Sequence, residues 1–199
     1  MFKTKGIVIK SLPFQEDGKI IQLFTPEFGI ISVITKNISE KRLDLIQSTT
    51  PLFEGYFHLK RQSSEFYKLL EVNPISHHLM LKESLVQLKY AFEILKTISS
   101  TQPKNKPLPL LYQLVSVYLN ELEKGMHHDK IISSFYLKFL RHEGLLNIDH
   151  FCEDSILDIG KIKSFCYGLK FEEIYQIEIT NDEIIDIQNR FKMILTSVS

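Results

Sequence analysis

Lys5-Gly6-Ile7-Val8-Ile9-Lys10-Ser11-Leu12, then Lys19-Ile20-Ile21-Gln22-Leu23-Phe24-Thr25, then Ile30-Ile31-Ser32-Val33-Ile34-Thr35-Lys36 decide how this chain is read. Each segment is short and rich in β-branched residues, which predicts a strand. The first two are separated by Phe14-Gln15-Glu16-Asp17-Gly18, where Asp-Gly is a strong turn signal. Pro26-Glu27-Phe28-Gly29 separates the second and third. Proline fixes φ early in that turn and glycine accepts a positive φ late, which predicts a hairpin.

Working outward, residues 37–50 are polar, contain Lys41-Arg42, and read as a loop or a short helix. Leu52 to Lys60 alternates, with Phe53, Gly55, Phe57 and Leu59 on one face and Glu54, Tyr56, His58 and Lys60 on the other. Phe66 to Val72 predicts a fifth strand, ended by Asn73-Pro74. Five short strands in about 75 residues suit a small Greek-key barrel such as an OB-fold.

Beyond Pro74 the period changes. Leu81, Leu85, Leu88, Phe92 and Leu95 share one helix face. Three prolines in Thr101–Pro109 mark a linker. Leu111, Leu114, Tyr118 and Leu122 predict a second helix closing near Gly125. Ile132, Phe135, Tyr136 and Phe139 predict a third, closed by Gly144. Residues 147–160 look irregular, and a short helix is expected around Ile162–Leu169. Thr180-Asn181-Asp182-Glu183 has the form of a capping box ahead of a last helix. The fold class is therefore α+β: a five-stranded barrel over residues 1–76, then an all-helical domain over residues 77–199.

Apolar residues make up 44% of the 199, enough for a core, and 24 basic residues balance 24 acidic ones. The balance is uneven along the chain. Residues 1–61 hold nine Lys/Arg against six Asp/Glu, and residues 145–186 hold three against ten. Two cysteines suit a reducing compartment. No apolar run approaches the roughly 18–20 residues that span a bilayer, and Lys10 and Pro13 interrupt any signal-like stretch. The expectation is a cytoplasmic protein with no membrane contact.

The three opening strands carry a resemblance. Glycine–aliphatic strand, acidic turn, aliphatic strand ending Leu23-Phe24-Thr25, Glu27-Phe28-Gly29 and a third strand running into Lys36 resemble the N-terminus of the bacterial recombination mediator RecO family. Gln47–Phe53 and Leu70-Glu71 continue the likeness more loosely. The resemblance implies an OB-fold followed by helices. It also implies non-sequence-specific binding of single- and double-stranded DNA, annealing of complementary strands, and work with RecR and with the tail of the single-stranded DNA-binding protein. It implies no covalent chemistry, and the chain shows no phosphate loop, GxSxG or HExxH that would argue for an enzyme. Three departures stand out. Many members carry four zinc-binding cysteines where this chain has Cys152 and Cys166 alone. The chain is short for the family. An arginine usual after the third strand is replaced at Lys36-Asn37-Ile38-Ser39. An alternative follows: the same fold as an adaptor with weak or lost DNA binding.

The expected DNA-binding residues are Lys5, Lys10, Lys19, Lys36, Lys41, Arg42, Lys60 and Arg61, with Phe14, Tyr56 or Phe66 available for base stacking. From charge alone a solvated surface is the simpler reading, because acids are interspersed. By the family likeness, Phe135, Lys138, Phe139 and Arg141 are the expected contacts for the acidic protein tail, although packing suits the two aromatics equally. No cofactor or metal is expected. His142, His150, Cys152 and Cys166 are zinc-type residues at no familiar spacing, and buried thiols suit the cysteines better. His77-His78 and His127-His128 read as exposed residues at helix starts.

Overall fold

The computed structural model describes residues 1–36, 43–62, 65–153 and 155–198. It divides into two compact units, Met1–Glu123 and Lys124–Ser199. In the first unit, strands β1 (Phe2–Phe14), β2 (Gly18–Thr25), β3 (Gly29–Thr35), β4 (Glu54–Arg61) and β5 (Phe66–Ser76) close into a barrel of order β1-β2-β3-β5-β4. All pairings are antiparallel except β3 with β5. That order, with its one parallel seam, is the OB-fold expected from the strand pattern.

Alternation fills the barrel. Val8, Ile21, Leu23, Ile31, Val33, Phe53, Phe57, Leu59 and Leu69 form one buried cluster. Helix α1 (Leu43–Ser48) adds Leu45 to it. Gly29 sits at φ 63°, as the hairpin turn requires. Strand β5 runs past Pro74, where the sequence predicts an end. The register slips between Glu54 and Gly55, so Pro74 sits at a bulge, where its missing N–H is tolerated.

The same unit contains α2 (Leu79–Glu83), α3 (Leu85–Thr101) and α4 (Pro109–Glu123). The single helix predicted across Leu81–Leu95 is broken at Ser84, whose side chain accepts from the Gln87 N–H and caps α3. The compact unit thus extends well beyond the end of the barrel at Ser76.

The second unit holds α5 (His128–His142), α6 (Ile148–Glu153), α7 (Ile159–Tyr167), α8 (Phe171–Tyr175) and α9 (Asn181–Val198). Gly125 and Gly144 adopt φ of 80° and 71° at the helix ends that the sequence marks. The capping box forms: the Thr180 N–H donates to Glu183 at 2.8 Å, and the Glu183 N–H to the Thr180 hydroxyl at 3.3 Å. Among the described residues no helix is long and apolar enough to cross a membrane.

Candidate nucleic-acid interface

Residues directly opposite one another in a ladder project from the same face. Across the outside of the barrel the registers assemble two rows. One runs Lys10–Gln22–Ser32–Phe66. The other runs Leu12–Ile20–Ile34–Lys68–Lys60. Lys10, Lys60 and Lys68 are exposed at the two edges, and Gln22, Ser32 and Phe66 are half-buried between them. Neither row contains a carboxylate. A shift in the β1–β2 register between Val8 and Lys10 is what turns Lys10 onto this face.

The expected lysines separate into distinct settings. Lys10 and Lys60 lie on the two rows, and Lys36 is exposed just after β3. Arg61 is exposed but stands opposite Tyr67, on the other side of β4 from Lys60. Lys19 is half-buried, with its ammonium 3.4 Å from the Thr49 hydroxyl. Lys41 and Arg42 lie outside the described residues. Lys3 covers the Tyr56 ring at 4.4 Å on a separate part of the wall, so Tyr56 is not on the two rows.

Lys5 has a structural partner. Its ammonium donates to Glu54 Oε1 at 2.9 Å, and Glu54 is 1% exposed. The same oxygen accepts from the Tyr112 and Ser116 hydroxyls, each at 2.9 Å. Burial alone pushes the Glu54 carboxyl up. The His78 side chain, the Lys5 ammonium and the Tyr112 hydroxyl more than reverse this, bringing it from 4.5 to about 2. Burial, and then the neighbouring Glu54 charge, push the Tyr112 hydroxyl up.

His78 corrects an expectation. It stands at the start of α2 but is 1% exposed, with Nδ1 2.9 Å from Glu123 and Nε2 3.8 Å from Glu54. Lys5, Glu54, His78 and Glu123 therefore tie β1, β4 and the end of α4 together, with Glu54 and His78 buried and Lys5 and Glu123 partly exposed.

In the second unit, Phe135 and Phe139 are fully buried against one another, and Phe139 also meets Phe191. A partner cannot reach them without opening the helix packing. Ser134, Lys138 and Arg141, spaced to share a stripe of α5, meet the end of α7 instead. Ser134 donates to the Phe165 carbonyl at 2.8 Å, Lys138 to Gly168 at 2.7 Å, and Arg141 to Cys166 at 3.4 Å. They satisfy carbonyls that a helix end leaves without partners. Burial pushes the Lys138 ammonium down. Arg141 also lies 4.5 Å from the Tyr167 ring, and Tyr167 and Leu169 are exposed beside it.

Cys166 is fully buried, and burial pushes its thiol up. His142 pairs with Glu143 and His150 with Glu153. Among the described residues no three His, Cys, Asp or Glu side chains converge as metal ligands would.

Sequence reading misses Lys68, Gln22 and Ser32 as members of the outer face. Register was the missing signal: once Ser32 is opposite Phe66, Lys68 falls beside Ile34 and Lys60.

Residues 1–78 match the family described as Recombination protein O N terminal. Similar proteins include the DNA repair protein RecO of Chlamydia trachomatis serovar L2, 26% identical over 189 residues that cover 92% of this chain and 77% of that one. The DNA repair protein RecO of Chlamydia muridarum is 28% identical over 147 residues, 74% of this chain and 62% of its own. That of Streptococcus equi subsp. zooepidemicus is 25% identical over 150 residues, 75% and 58% respectively. The residues that match Recombination protein O N terminal thus coincide with the barrel of OB-fold order, and the similarity to the RecO proteins runs on into the helical region that follows it in sequence.

Proposed function

We propose that this chain acts in DNA repair by binding DNA without sequence preference and bringing complementary single strands together. The family match and its relatives' names support the repair role. The observation that carries the binding claim is the pair of rows without a carboxylate on the outer face, with Lys10 at one edge and Lys60 and Lys68 at the other. Cationic edges follow a phosphate backbone, and a half-exposed ring between them offers a base a stacking surface. Both strand types are bound, because phosphate contacts do not depend on base pairing.

The test is fluorescence anisotropy of single-stranded and duplex oligonucleotides across a salt series. Wild type is expected to lose affinity steadily with salt. Replacing Lys10, Lys60 and Lys68 together by Ala should flatten the slope of log affinity by about 2, at roughly 0.7–0.9 per lost contact. Binding that ignores both salt and the triple change would refute the proposal.

The likeness extends the proposal to RecR and to the acidic tail of the single-stranded DNA-binding protein. In the second unit such a tail would meet Arg141, Tyr167 and Leu169 rather than Phe135 and Phe139. Arg141→Glu should abolish capture of that tail peptide while leaving DNA affinity intact.

One observation favours the adaptor reading. Lys5 is engaged by Glu54 and Lys19 contacts Thr49, so fewer cations are open than the sequence suggests. Retained RecR capture with no DNA affinity at low salt would decide for it.

A further inference from the structure

A small pocket of about 190 Å³ opens at the edge of the two rows, where Ser32 and Phe66 meet the linker between α3 and α4. Its walls are Ile30, Ser32, Glu65, Phe66, Lys104 and Asn105. The linker sits there for a structural reason. Strand β5 pairs with β3 across Ser32–Ile34, leaving Ile30 beyond the paired stretch. The linker takes that place: Lys104 bridges to Ile30, the Asn105 N–H donates to the Ile30 carbonyl at 3.1 Å, and the Leu108 N–H to Pro26 at 3.0 Å. Gly29 makes the approach possible, because a Cβ there would strike the Lys106 carbonyl. Asn105 holds φ 58°, a conformation that asparagine tolerates better than most residues.

The chemistry of the walls selects a ligand. The volume falls well below the roughly 300–1,000 Å³ of a whole small-molecule site, so a single planar ring system fits better than a complete nucleotide. Phe66 supplies an aromatic wall. Ser32 and Asn105 supply a hydroxyl and an amide that both donate and accept. Glu65 places a carboxylate on the same space, which disfavours an anion inside. Lys104 supplies a cation for a phosphate.

We propose that this pocket takes one unpaired nucleobase, held by Phe66, Ser32 and Asn105, with Lys104 on its phosphate. The inference rests on the DNA-binding reading and adds a base-dependent contact that duplex DNA cannot make. It also gives the α3–α4 linker, outside the barrel, a part in binding.

The test compares a single-stranded oligonucleotide with the same chain of sugars and phosphates made abasic, using the full protein. Wild type should bind the abasic strand about fivefold or more weakly, the range expected for losing one base–aromatic stack. Phe66→Leu keeps the apolar volume but removes the ring, and should bind both strands alike with an unchanged salt slope. Lys104→Ala should weaken both strands equally. Wild type that ignores base removal, or a Phe66→Leu variant as sensitive to it as wild type, overturns the pocket. If the intact strand does not bind at low salt, the DNA-binding reading fails. The pocket is then judged by titrating a deoxynucleoside monophosphate against the backbone amides. Shifts at Ser32, Phe66 and Asn105 that vanish in Phe66→Leu support it; their absence overturns it.

Discussion

Lys5 and Lys10 stand five residues apart on one strand and have different lives. Lys5 faces Glu54 beneath helix α4, where its charge is matched by a buried carboxylate. Lys10 follows a register shift and points onto a face with no carboxylate in its rows. The contrast shows that a lysine's role is set by what stands opposite it across the sheet. Composition and strand membership do not separate the two; register does.

The sharpest way to break this comparison is to remove Glu54. Glu54→Ala should lower unfolding stability by about 2–3 kcal/mol, because a buried carboxylate and its hydrogen bonds from Lys5, Tyr112 and Ser116 are lost, while the partly exposed Lys5 ammonium is left to water. Chemical denaturation measures it. A change under about 1 kcal/mol would make the cluster incidental. Lys10→Ala should leave stability within about 0.5 kcal/mol and reduce the salt slope of DNA affinity by about 0.7. If Lys5→Ala and Lys10→Ala behave alike in both assays, the distinction between the two ends of β1 collapses.

The same cluster predicts a pH dependence. The Glu54 carboxyl lies below its ordinary value when folded, so it stabilises the fold above about pH 4.5. That contribution, on the order of 3 kcal/mol, is lost as pH falls from 4.5 towards 2. Stability curves of wild type and Glu54→Gln should converge over this window. Curves that stay parallel down to pH 2 would count against the depressed carboxyl.

Much of the secondary structure is legible in the sequence, because its cues are local. Alternation in Phe53–Leu59, the Pro26–Gly29 turn and the Thr180–Glu183 box depend on neighbours within a few residues. Features fixed by distant partners are not legible. Pro74 reads as a strand end because the bulge that accommodates it is set by Glu54 and Gly55, about twenty residues earlier. His78 reads as an exposed helix start because Glu123 is 45 residues away. The outer face is half legible: Lys10 and Lys60 are visible as charges, but joining them into one surface needs the parallel β3–β5 seam. Lys104 is invisible as a site residue, since its linker reads as a proline-rich connection.

Gly29 sharpens the comparison at an intermediate level, because it supports the hairpin and the linker together. Gly29→Ala should destabilise by about 1–2 kcal/mol from the left-handed backbone alone. It should also push the linker away from Ile30, removing the difference between intact and abasic strands while Lys10 and Lys60 keep their salt dependence. Loss of stability with that difference preserved would separate the linker from the pocket.

The smallest effect is expected where a cation is again occupied by structure, on α5. Lys138 resembles a partner-binding residue in sequence, yet it donates to the Gly168 carbonyl at the C-terminal cap of α7. A cation at a helix C-terminus contributes a few tenths to about 1 kcal/mol, and a hydrogen bond to a charged group somewhat more. Lys138→Met keeps most of the side chain's apolar length and removes both terms. It should therefore lower stability by about 1 kcal/mol and fray the end of α7, visible as faster exchange of its last amide N–H groups. If Lys138→Met leaves α7 exchange untouched but abolishes tail-peptide capture, Lys138 belongs with Lys10 as a surface cation, not with Lys5.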